Sequence, residues 1–139
     1  MKHITDAEQT ARPCWDRPGE HFLFHYTQAD LADAIFEEQC FLVPNRPGSQ
    51  GYGLYVTNIK PGSRPDDFIL KTLFAFGRDA LAIEGVVVLT RDSLPFRRVA
   101  ARSFFHAAQG GTTLDLSGLL VGSGRRDRGT WRWTAGIFS

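Results

Sequence analysis

Cysteine is scarce in this chain, with Cys14 and Cys40 as the two examples. Neither belongs to a CxxC pair or a Cys/His cluster, so a structural zinc site is not expected. The sequence alone leaves one disulfide open. Cys40 heads an apolar run and reads as a small buried hydrophobe. Net charge is equally sparse, at +1 over 139 residues, with 16 basic and 15 acidic side chains. No overall field draws such a chain to nucleic acid or membrane. No apolar run approaches membrane-spanning length. The first residues, Met1-Lys2-His3-Ile4-Thr5-Asp6, lack the apolar core of a secretory signal. The expectation is therefore a cytoplasmic protein, or one delivered or secreted without a cleaved signal. A P-loop, a strand-following G-x-G-x-x-G, a G-x-S-x-G elbow and internal repeats are also missing. Their absence argues against nucleotide folds of the Rossmann type, serine hydrolases and solenoids.

What is present suits one packed domain. Hydrophobic residues make up 42% of the chain and aromatics 12%. Residues 1–19 are polar and broken by Pro13 and Pro18, which reads as a flexible arm ahead of a domain over 20–139. His21–His25 reads as a strand, with Phe22 and Phe24 on one face and Leu23 on the other. A helix is expected from Thr27 or Gln28 to Glu38, capped by Thr27 and turning Leu31 and Ile35 inward. Cys40–Val43 reads as a short strand, followed by a proline-rich loop over 44–50. The next strand is Gly51-Tyr52-Gly53-Leu54-Tyr55-Val56-Thr57-Asn58, rich in residues that favour a pleated surface. Ser63, Pro65, Asp66 and Asp67 then open a second helix, which Gly77 stops. Strands are expected over 81–89, 103–106 and 113–121, with a closing strand around Trp131, Trp133 and Ile137. Arg125, Arg126, Arg128 and Arg132 crowd the C-terminal region. They read as a solvated face, with an anion-binding tail as the alternative. The fold class is α+β, with two helices early in the chain.

Few side chains stand out chemically. His25 ends an apolar strand just before Tyr26-Thr27, where a half-buried structural role competes with a hydrogen bond to a sugar hydroxyl. Tyr52 and Tyr55 lie beside Gly51 and Gly53, whose open backbone lets a flat ring approach. Asp115, set between Leu114 and Leu116, either faces water or is held for a purpose. Glu84 and Asp92 are rival carboxylates.

Three stretches carry a resemblance: Phe24-His25-Tyr26-Thr27, then Gly51 to Ile59 with Pro61-Gly62, then Leu114 to Val121 with Ser123-Gly124. In this order they resemble the ADP-ribosyltransferase-fold domains with a His-Tyr-Asp signature found in bacterial polymorphic toxins. The resemblance implies a split β-sheet core and NAD as substrate. It also implies transfer of ADP-ribose to an unknown macromolecular or small-molecule acceptor, with an immunity protein or antitoxin as a possible partner. Alternatives within it are an NAD glycohydrolase and a non-catalytic binding module. By resemblance, His25 would bind the adenosine ribose, with Tyr26 and Thr27 nearby. Tyr55, Tyr52 and Phe68 would wall the nicotinamide between Gly51 and Gly53. Asp115 would stabilise the ribose as it gains oxocarbenium character. The polymerase branch of that fold uses glutamate where Asp115 stands, and no metal is implied. His25, Tyr55 and Asp115 are thus expected to meet in one cleft.

Overall fold

A computed structural model describes Trp15, residues 21–75 and residues 77–136, the last three by backbone alone. The arm expected over 1–19 lies outside the described residues except for Trp15, which is buried. In chain order the elements are β1 (Phe22–Thr27), α1 (Ala29–Glu38), β2 (Cys40–Leu42), β3 (Gly53–Thr57) and α2 (Asp66–Phe74). A short 3-10 turn (Ala80–Ile83) leads into β4 (Gly85–Thr90), β5 (Arg97–Ala100) and β6 (Ser103–Ala107). Then come β7 (Thr113–Asp115), β8 (Leu120–Asp127) and β9 (Thr130–Gly136). Seven strands form one sheet in the order β5-β6-β3-β1-β4-β8-β9, and β2 and β7 form a separate ribbon. The registered strand pairs are antiparallel. The class is α+β, as expected, and both α-helices precede β4.

Strand alternation sorts the core into two layers. Leu23, Leu54, Val56, Val87, Leu89 and Phe104 face α1 and the β2–β7 ribbon, packing on Ala32, Phe36, Phe41 and Leu116. Phe24, Tyr26, Val86 and Val88 face the other way, onto Trp15, Ile59, Ile69 and Ile83. The expected split of Phe22 and Phe24 from Leu23 follows this division.

Several boundaries differ from the sequence reading, each for a local reason. Thr27 stays in β1, paired with Gly85, so Gln28 takes the extended N-cap position without a side-chain bond. Leu31 is 52% exposed, because α1 turns Ala32 and Phe36 inward. Gly85 explains that rotation: a Cβ there would sit 2.7 Å from the Ala29 Cα and 2.9 Å from the Ala32 Cβ. Only the small face of α1 can press so close to the sheet. Pro65 holds the N-cap position of α2, while the Ser63 hydroxyl bonds the Lys60 carbonyl at 2.6 Å instead. Residues 80–83 coil because the Asp79 carboxylate takes the Leu81 N–H at 3.0 Å. The single strand expected over 113–121 is two, β7 and β8, separated by a turn at Ser117–Leu119. Cys40 is half-buried and its thiol is free.

The arginine run is not a tail. Arg125 and Arg126 lie in β8, and alternation sends them to opposite faces. Arg125 reaches Asp30 at 3.5 Å and Asp33 at 3.4 Å on α1. Arg126 grips both oxygens of Asp66 on α2, at 2.5 and 2.6 Å. One strand thereby tethers both helices.

Candidate functional site

β1 and β3 lie side by side but share a single registered pair, Phe24↔Thr57, against the six that join β1 to β4. The ladder is parted there, and a side chain bridges the seam. His25 donates from Nδ1 to the Tyr55 carbonyl at 2.8 Å, a direction fixed because a carbonyl only accepts. The ring is half-buried and meets Phe41 of the ribbon edge-on at 5.0 Å. Burial pushes the imidazole below its ordinary pKa of 6.5, partly offset by the Tyr55 carbonyl. The result is a neutral ring in one tautomer. Its Nε2 is an acceptor with no protein hydrogen bond among the described residues.

The Tyr55 backbone, not its ring, is what β3 offers His25. Tyr55 pairs with Phe105, opposite in facing to Phe104 and Val56, and packs on the Phe105 ring at 4.7 Å. Its hydroxyl donates to the Gly51 carbonyl at 2.8 Å and accepts the Gln50 N–H at 2.9 Å. Tyr55 thus pins the loop that precedes β3, and its ring lies across the sheet from His25. Gly48 sits against that ring, where a Cβ would fall 2.5 Å from the hydroxyl oxygen.

Asp115 stands apart. It is fully exposed and bound within its own turn, accepting from the Ser117 N–H at 2.9 Å and the Ser117 hydroxyl at 2.6 Å. Those two bonds hold its carboxyl below the ordinary range, the hydroxyl contributing most. The pair Phe41↔Leu114 places those two side chains on one face of the ribbon, toward His25 and the core. Alternation puts Asp115 on the other face. The expected convergence of His25, Tyr55 and Asp115 is therefore corrected. His25 meets the Tyr55 carbonyl, the Tyr55 ring faces away, and Asp115 is on the outer side of the ribbon. Asp115→Ala is accordingly expected to leave the His25 ring titration unmoved in a proton NMR experiment. Both Ser117 bonds would be lost.

The remaining site candidates are spread out. Tyr26 is buried and donates its hydroxyl to the Ile59 carbonyl at 2.8 Å; burial raises its pKa, opposed by Arg126 and reinforced by Asp66. Thr27 is the half-buried end of β1. Tyr52 is 42% exposed beside Gly110. Gly51 has φ +109 and admits the turn that brings its carbonyl to Tyr55. Gly53 lies against the His106 carbonyl, where a Cβ would collide with backbone. Phe68 is covered by the guanidinium groups of Arg64 at 5.5 Å and Arg102 at 5.2 Å.

A cavity of about 360 Å³ opens on the other sheet face, lined by Trp15, Phe24, Lys60, Gly62, Trp131 and Trp133 among others. None of His25, Tyr55 or Asp115 lines it. The alternation of Trp131 and Trp133 was its sequence signal, but their shared wall with Lys60 was not. Among the described residues, no three His, Cys, Asp or Glu side chains form a metal-ligand group, and no helix is long and apolar enough to cross a membrane. Comparison with family models, curated proteins and solved structures finds no match.

Proposed function

We propose that the chain is an NAD-dependent ADP-ribosyltransferase of the bacterial toxin or effector kind. It would cleave the bond between nicotinamide and ribose and pass ADP-ribose to an acceptor. One observation carries the reading: the His25 imidazole, neutral and fixed in tautomer by the Tyr55 carbonyl, presents a free Nε2 acceptor at the parted seam of β1 and β3. A ribose hydroxyl is a donor that fits such a nitrogen. The order of the three motifs and the two early helices support the reading.

In this reading His25 binds the adenosine ribose, and the Gly51–Tyr55 segment supplies backbone beside it. Positive charge then develops at the anomeric carbon and calls for a fixed carboxylate. Asp115 does not face His25, so its rivals Glu84 and Asp92 stay open in this reading. Glu84 is half-buried and follows the alternation of Val86, on the sheet face opposite His25. Its side chain makes no hydrogen bond or ion pair among the described residues.

Labelled NAD incubated with the purified chain and a cell lysate tests the reading. Expected are released nicotinamide and label on an acceptor. Release without transfer would identify water as the acceptor, and hence a glycohydrolase. Neither release nor NAD binding would reject the proposal. In the same assay Glu84→Gln and Asp115→Ala are compared: the variant that loses more nicotinamide release carries the acid, and full activity in both would leave Asp92.

A further inference from the structure

We propose that the β5 edge of the large sheet is a nucleic-acid-binding surface that reads the phosphate backbone. Of the arginines crowded late in the sequence, Arg125, Arg126 and Arg132 pair with Asp30 and Asp33, Asp66, and Asp127, and Arg128 is unpaired among the described residues. A group of unpaired arginines lies at the opposite edge. Arg64, Arg91, Arg97 and Arg102 form no ion pair among the described residues. The nearby exposed carboxylates Asp67 and Asp92 make none with them.

These guanidinium groups are not loose. Arg91 and Arg98 each lie over the buried Phe104 ring, both at 4.6 Å. Arg97 lies over Phe105 at 5.9 Å and also donates to the Gln50 side chain at 3.3 Å. Arg64 and Arg102 share Phe68. Stacking on a ring restrains a guanidinium while its in-plane N–H groups can still meet an anion, except where they are already used, as Arg98 donates to the Ala101 carbonyl at 2.6 Å. Phe104 and Phe105 face opposite sides of the sheet, so Arg91 and Arg98 lie on one side of the edge and Arg64, Arg97 and Arg102 on the other, where the three together suit phosphate.

The simpler explanation is edge protection, since charged residues on an edge strand discourage pairing with another chain. That need is met by Arg97 and Arg98 within β5. It does not account for Arg64, Arg91 and Arg102, which arrive from three other segments. Phe104 and Phe105 are 0% and 4% exposed, so bases cannot stack on them. The surface would hold phosphates without reading sequence. This inference is independent of the NAD reading.

The test is anisotropy of a fluorescein-labelled 20-base-pair duplex of mixed sequence titrated with the full chain, at several salt concentrations. Three phosphate contacts, from Arg64, Arg97 and Arg102, predict a slope of about −2.7 for log affinity against log salt. Arg64→Gln with Arg97→Gln, both at exposed positions, is expected to flatten the slope by about 2. Arg128→Gln, in the β8–β9 turn at the far edge, should change neither slope nor affinity. The proposal is overturned if the duplex does not bind, if the slope is flat, or if Arg128→Gln weakens binding as much as the double variant. Binding of polyglutamate in place of the duplex would equally overturn it, assigning the edge to an acidic protein.

Discussion

His25→Ala is expected to reduce nicotinamide release by about a hundredfold or more, the scale on which a lost positioning group misplaces a bound substrate. Two interactions disappear together. The Nε2 acceptor goes, and the Tyr55 carbonyl loses the donor that bridges the seam. An unsatisfied carbonyl costs about 1–3 kcal/mol where it is buried, so part of any loss could be structural. His25→Asn separates the two effects. Its amide nitrogen falls near the Nδ1 position and can still serve Tyr55, but nothing replaces Nε2. A folded but inactive Asn variant would support the ribose role. An active one would reduce His25 to a structural bridge.

The pH dependence follows from the same ring. Its folded pKa lies below 6.5, so between the two values the unfolded chain binds the proton and the native chain does not. Stability is therefore full above about 6.5 and falls as pH drops through that window. Protonation also turns Nε2 from acceptor to donor, so binding of a ribose hydroxyl should weaken in the same direction. Denaturant melts from pH 7.5 to pH 5 would show a shallower decline for His25→Asn than for the native chain.

Trp15→Ala is the second large effect. The side chain is 1% exposed, meets Trp133 edge-on at 5.0 Å and fills the space over Gly122. Truncating a buried tryptophan commonly costs about 3–5 kcal/mol, against a total of about 5–15 kcal/mol for a domain. A urea midpoint that drops accordingly would place residue 15 inside the folding unit. An unchanged midpoint would restore it to a dispensable arm. Gly122→Val probes the same contact from the other side, since a Cβ there would stand 2.4 Å from the Trp15 ring, a clash that must displace the indole.

Where local pattern governed structure, the sequence was readable. The alternation in Phe22–His25 located β1 and its two faces, and the Pro65-Asp66-Asp67 signal located α2. The failures involve distant partners. Trp15 sits in a polar, proline-broken stretch with no periodicity, and its burial depends on Gly122 and Trp133. Leu31 and Ile35 fit a helical stripe, but the closeness of Gly85 decided which face α1 presents. The arginine run looked solvated because Asp30, Asp33 and Asp66 lie far off in sequence. At the site, the seam contact between His25 and Tyr55 joins two of the three motifs, yet it uses a carbonyl that no motif reveals. Asp115 was misplaced because a β7 that ends in a turn cannot be told from a continuous strand by composition.

The solitary rung between β1 and β3 has a mechanical meaning. A sheet laced on every other line yields first along its weakest lacing, and here that line runs beside an imidazole. Entry of a guest at this fissure would cost the scaffold little of its own bonding, because so little was spent closing it.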